Sequence, residues 1–179
     1  VQHEYRGTSD GPFGRGVELS RRYTTADLSI LSEEERCRFV CDGDADPQDN
    51  MSLAWELLYR LEPELYDRLT QVERIHPAIF DWLPQHVSRA VEVAAGTGRL
   101  TTALIGRCDH LTAIEPSAPL RAILAARLEY RACGRRMRIT HGFFDSLPLQ
   151  DRFAELVVSC SALTPDPAHG GATGLAEME

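Results

Sequence analysis

Four residues carry the first chemistry this sequence suggests: Glu92, Gly96, Gly98 and Glu115. Gly96 and Gly98 close a turn of small residues over 94–98, Ala94-Ala95-Gly96-Thr97-Gly98. Small residues let the backbone fold sharply and let a ligand lie directly against it. Amides at the start of a helix after such a turn favour an anionic group. Glu115 ends a second apolar run, 111–115, and directly precedes Pro116, which holds its backbone extended. A carboxylate at that place can accept hydrogen bonds from both hydroxyls of a ribose.

Such residues need a scaffold, and the flanking sequence supplies one. Residues 89–94 read as a buried strand leading into the turn. Leu100, Ala103 and Leu104 then follow at helical spacing. After the 111–115 strand, Pro116 to Pro119 make a turn into a helix whose buried face is Leu120, Ile123, Leu124 and Leu128. Residues 137–140 read as a third strand. Residues 154–159 read as a fourth, apolar enough to be covered on both faces. Strands alternating with helices predict a parallel sheet. Arg131, Arg135, Arg136 and Arg138 read as a solvated helix end and loop rather than a phosphate patch.

The first half of the chain is different. Residues 1–31 show little periodicity and are expected to form a loose arm. Ser32 with Glu35 fits a capping box opening a short helix to about Cys41. Asp42, Asp44, Asp46 and Asp49 resemble a calcium loop. However, Pro47 stands where that loop needs glycine and Leu53 where it needs its bidentate Glu. The stretch therefore reads as an acidic linker, with Asp49 or Asn50 capping the next helix. Residues 51–83 read as helical, with an apolar stripe through Ala54, Leu57, Leu58, Leu61, Leu65, Leu69 and Val72, broken near Pro63 and ended at His76-Pro77, and with Ile79, Phe80, Trp82 and Leu83 as a last turn before Pro84. Trp55, Tyr59 and Tyr66 beside it read first as core packing. The competing reading is a helical layer closing over a ligand.

The run from Glu92 through Gly98 resembles the first motif of the class I S-adenosylmethionine-dependent methyltransferases, an acid followed by a Gly-x-Gly-x-Gly turn. Ala94 stands at the first glycine, and Gly96 and Gly98 match the other two. The resemblance covers roughly residues 85–179 and implies an α/β fold with a Rossmann-like parallel sheet flanked by helices. It implies S-adenosyl-L-methionine as cofactor, held by Glu92, by Ala94, Ala95, Gly96, Thr97 and Gly98, and by Glu115 with Pro116 at the ribose. The run from His141 through Pro148 resembles the family's adenine-binding segment. Phe143 occupies the place of the family's adenine-binding acid and the nearest acid is Asp145. Either Asp145 makes the adenine contact, or the base stacks on Phe143 or Phe144. Ser159 and Cys160, at the end of the fourth strand, correspond to the family's lining of the methyl group. No catalytic base stands out; His141 and Asp145 are candidates by position alone. The seven-stranded sheet of the family is represented here by four strands. The expectation is an incomplete Rossmann-like domain over 85–179, a fragment of a longer protein, preceded by an arm and helical extension over 1–84. An open apolar edge on the fourth strand would favour self-association or a partner.

Composition narrows the function classes. The 179-residue chain is 43% hydrophobic, with a net charge of −8 and a pI near 5.3. That balance argues against a dominant nucleic-acid surface. The acceptor of a methyltransferase, which the resemblance implies, is expected to be a small-molecule substrate. No apolar run approaches the ~18 residues of a membrane span, and a cytoplasmic location is the default. All 19 basic residues are arginine, which removes lysine Schiff bases and P-loop chemistry. Cys37, Cys41, Cys108, Cys133 and Cys160 have no spacing suited to a metal site and read as reduced thiols. Two alternatives to a methyltransferase remain. A nicotinamide oxidoreductase would need a third glycine where Thr101 stands. A non-catalytic binding module could complete its sheet with a partner's strand.

Overall fold

The computed structural model describes residues 22–40, 46–130, 136–165, 167 and 170–179. Most of the arm (1–21), much of the calcium-like stretch (41–45), Cys41, Cys133, Arg131 and Arg135 lie outside these residues.

The centre is a four-stranded parallel sheet in the order β3-β2-β1-β4. Its strands are β1 (Val87–Val93), β2 (Cys108–Ile114), β3 (Met137–Thr140) and β4 (Leu156–Ser159). β1 pairs on both sides, with Val93 opposite Ile114 in β2 and opposite Ser159 in β4. These three strand ends therefore finish at one level, and the turns leaving them share one edge. Strand side chains alternate between faces. Ala90 and Leu111 pack on one face with Leu100 and Leu104, and Ala113 joins Leu124 and Leu128. Val91, Val93 and Ile114 pack on the other with Phe144, Leu147, Phe153 and Met178.

The helices follow their sequence signals. α1 (Glu33–Phe39) opens with the Ser32–Glu35 capping box, and α2 (Met51–Leu61) is capped by the Asn50 side chain accepting from the Leu53 amide. α3 (Pro63–Val72) begins at the predicted break, with Pro63 in the first turn, where its missing N–H costs nothing. The helix expected to run to His76-Pro77 stops at Val72. The last turn expected around 79–83 is a separate helix, α4 (Pro77–Trp82), which Pro77 starts for the same reason, and His76 Nδ1 accepts from the Ala78 amide. α5 (Thr101–Leu104) is a single turn after the small-residue loop, and α6 (Ala118–Tyr130) and α7 (Gly171–Glu177) are the remaining helices described.

Two further expectations need revision. Thr25–Ile30, inside the supposed arm, is a 3-10 helix closed by the Thr24–Asp27 pair and packed on α2. In β4, Leu156 and Val158 pack on one face and Val157 on the other, yet all four residues are only half-buried. β1 is the one strand paired with β4 among the described residues, so its far side carries no ladder.

α2 and α3 pack against α6 and form a layer above the strand ends. Three ion pairs cross from that side to the sheet: Arg38–Asp145 at 2.6 Å, Arg99–Glu73 at 2.7 Å and Arg127–Asp67 at 2.8 Å. Arg127 also donates to the Thr97 carbonyl at 2.6 Å, tying α3 through α6 to the small-residue turn. No helix among the described residues is long and apolar enough to cross a membrane.

Candidate functional site

The turn after β1 sets the geometry. Ala94, Gly96 and Gly98 all have positive φ, at 57°, 57° and 95°. Two of these positions are glycine, which adopts that region freely; Ala94 holds it at a cost of about 1–2 kcal/mol. A side chain on Gly98 would meet Leu124 at 2.4 Å, so this glycine lets α6 approach. Gly96 faces the other way, toward the Tyr66 hydroxyl.

Glu115 is buried, 4% exposed, and its carboxylate joins two turns. Oε2 accepts from the Gly96 amide at 2.9 Å and Oε1 from the Ser117 amide at 2.8 Å. Burial raises its pKa, and these two amides offset part of the rise. The small-residue turn thus gives the Gly96 amide to an internal carboxylate and the Gly98 amide to the Ala95 carbonyl, rather than aiming either at an anion. The helix that follows is one turn long, too short for the dipole effect expected from the sequence.

Glu92 is 3% exposed, below the turn. Burial pushes its carboxyl up to about 8, and Thr101 offsets this only partly. Its Oε2 and the Thr101 hydroxyl both lack a partner in hydrogen-bonding geometry.

A cavity of about 410 Å³ opens at the shared edge of the sheet. Of the residues singled out in the sequence, Ala94, Gly96, Glu115, Pro116, Phe143, Phe144 and Cys160 line it. Glu92, Ala95 and Thr97 line a small recess beside it, together with Ala94, Gly96 and Cys160. Gly98 lies behind the turn against Leu124. Ser159 lines neither space and its buried hydroxyl has no partner. Asp145 is drawn away: both its oxygens accept from Arg38, whose guanidinium lies 4.1 Å from the centre of the Phe143 ring. His141 is exposed and stacks edge-on against Phe143. Ser161 also lines the cavity at φ 60°, so two of the three described non-glycine residues with positive φ stand in its wall.

The opposite wall comes from the helical layer. Trp55, Glu56, Tyr59, Tyr66, Leu69, Thr70 and Glu73 line it, with Tyr59 and Tyr66 edge to face at 4.8 Å. The aromatics read first as core packing therefore face the cavity, and Trp55 is 41% exposed. Burial pushes the Tyr66 hydroxyl up to about 12 and the Tyr59 hydroxyl higher still, so both are neutral donors. Glu56, missed in the sequence, is 4% exposed, and burial pushes its carboxyl up to about 7 against the pull of Arg60. Its signal was present. Leu53, Glu56, Leu57 and Arg60 share one helical face, where two charges interrupt a buried stripe.

Among the described residues, no group of His, Cys, Asp and Glu is arranged to hold a metal ion. A cavity walled by aromatics, with carboxylates and a strained small-residue turn at one edge of a parallel sheet, suits a nucleoside-bearing ligand.

Residues 90–177 match the family described as a methyltransferase domain. Among curated proteins, none matches the chain. Similar solved structures include the YcgJ protein of Bacillus subtilis, at 15% identity, 46% of this chain, 35% of that one and a TM-score of 0.42. An S-adenosylmethionine-dependent methyltransferase of Clostridium acetobutylicum aligns at 17% identity, over 55% of this chain and 42% of that one, TM-score 0.43. A Haemonchus contortus phosphoethanolamine N-methyltransferase, solved with phosphoethanolamine and S-adenosylhomocysteine, aligns at 21% identity over 45% of this chain and 17% of that one, TM-score 0.41. The chain spans less than half the length of each of these three. Through residues 90–177 the chain carries the methyltransferase-domain match, on a Rossmann-like parallel sheet.

Proposed function

We propose that the cavity binds S-adenosylmethionine and presents its methyl group to a small-molecule acceptor entering beside α2 and α3. The observation that carries this reading is convergence. The turn after β1, the end of β2, the link from β3 to β4 and the end of β4 all contribute to one cavity. Gly96 would let the methionyl part approach the backbone, and Glu115, whose oxygens each keep a free lone pair, would receive the ribose. Phe143 and Phe144 would hold the adenine; the commitment of Asp145 to Arg38 supports stacking over an acid contact. Glu92 would brace the turn from below.

The bound cofactor supplies an activated methyl on a sulfonium, so the protein's task is to place the acceptor in line and exclude water. Trp55, Tyr59 and Tyr66 give that region apolar walls with neutral hydroxyl donors. A cytoplasmic setting belongs to the same reading and is supported by the free thiols at Cys37, Cys108 and Cys160.

Titration calorimetry with S-adenosylhomocysteine and with NAD tests the assignment. The homocysteine nucleoside should bind and NAD should not. Gly96→Val, forced into positive φ and into the cavity, should weaken binding at least tenfold, about 1.4 kcal/mol, with helix content retained by circular dichroism. Binding of neither ligand would favour a non-catalytic module, and unchanged affinity of the variant would refute this placement of the site.

A further inference from the structure

Glu56 is a buried carboxyl group with an oxygen that no hydrogen bond uses in the ligand-free molecule. It lines the cavity, is 4% exposed, and its Oε2 has no hydrogen-bond partner. Arg60 forms an ion pair with it, Nη2 standing 3.4 Å from Oε2, but that nitrogen donates its hydrogen bond to Glu35 and leaves Oε2 without one. A buried acceptor left open costs about 1–3 kcal/mol. Such a group in a cavity wall calls for a donor on the ligand.

Its position says which donor. α2 is tied to the turn after β2 by the Ser117 hydroxyl, which donates to the Tyr59 carbonyl at 3.2 Å. Glu56 and Glu115 line the same cavity and feel each other's charge. Glu115 already spends one lone pair of each oxygen on the Gly96 and Ser117 amides. A vicinal diol brings two donors into that corner. We propose that Glu56 and Glu115 divide the ribose, each accepting one hydroxyl, so that the helical layer contributes a direct sugar contact to the cofactor site. The proposal rests on the cofactor reading above, and it makes α2 part of the site.

Calorimetry with S-adenosylhomocysteine and its 2′-deoxy and 3′-deoxy analogues tests it on the wild-type chain, Glu56→Gln and Glu56→Ala. Glu56→Ala should bind S-adenosylhomocysteine about tenfold more weakly. One of the two analogues should lose a similar factor on the wild type and nothing further on Glu56→Ala, because the same bond is already gone. Glu56→Gln retains the size and one acceptor oxygen and guards against a folding defect; it should fall between the two. If the wild type binds S-adenosylhomocysteine and Glu56→Ala binds it equally well, the ribose role is wrong and the cofactor reading stands. Losses that simply add for both analogues would also overturn it. If the wild type does not bind at all, the cofactor reading itself fails.

Discussion

The sheet and the helical layer are held by different physics. β1 and β2 are joined by a regular parallel ladder, and their inward residues, Ala90, Val91, Val93, Leu111, Ala113 and Ile114, are almost completely buried apolar groups. The layer has an apolar patch of its own around Leu31, Phe39, Leu53 and Leu57, with Phe143 as its contact from the sheet side. Beyond that it packs on α6 and is attached by arginine ion pairs and by the Ser117–Tyr59 bond. Buried apolar area stabilises without regard to direction. Ion pairs fix direction and contribute about 0–1 kcal/mol each when exposed. The sheet therefore supplies stability and the layer supplies placement, and the cavity lies on the seam between them.

The sheet side breaks first in the ranking of expected effects. Gly98→Val puts a branched side chain where φ is 95° and where Leu124 leaves 2.4 Å, so it forces α6 off the sheet. The expected cost is about 3 kcal/mol or more, read as a lost or non-cooperative transition in chemical denaturation. A stable, cooperative variant would mean that α6 is not packed as tightly as the geometry requires.

A pH experiment sharpens the same side. Glu92 is held near 8 in the fold against an ordinary carboxyl value of 4.5. Below that ordinary value both states hold the proton and it contributes nothing. As pH rises toward 8 the unfolded chain gives up a proton that the fold retains, so stability falls across this window. The loss is on the order of a few kcal/mol when complete. Glu92→Gln should melt several degrees above the wild type at pH 8, and the gap should close toward pH 4.5. A gap independent of pH would sink the explanation.

The layer should yield the smallest and most local effect. Arg127→Ala removes the Asp67 pair and the bond to the Thr97 carbonyl. We expect about 1–2 kcal/mol, with faster amide exchange in α2 and α3 and none in β1 or β2. Equal acceleration in both regions would erase the distinction between them.

The same division explains what could be read in advance. Strand 137–140, the Ser32–Glu35 box, a cap at Asp49 or Asn50 and the break at Pro63 are local signals, and all four stand in the structure, the cap as Asn50. The turn at 94–98 was legible because small residues at fixed spacing have few other uses. The inner use of its amides was not, since the Gly96 partner lies 19 residues away. Nor was the pairing of Asp145 with Arg38, 107 residues earlier, which uses both its oxygens. The aromatics on α2 and α3 have the spacing of a core stripe and that of a cavity wall alike. Only the docking of α2 on α6 decides between them, and no spacing encodes that.

The three cross-region ion pairs all use arginine, in a sequence with no lysine. Covalent chemistry can therefore address this attachment selectively. Amine-directed acylating reagents find no side chain here. Dicarbonyl reagents, which condense with guanidinium groups, find Arg38, Arg99 and Arg127 each about one-fifth exposed, at 20%, 21% and 22%. Each adduct competes with the carboxylate that holds the layer down. Arg99 also stands in the cavity wall while Arg127 does not, so these two side chains form a built-in pair of reporters. Shielding of the first alone marks occupancy, and shielding of both marks a layer drawn tighter onto the sheet.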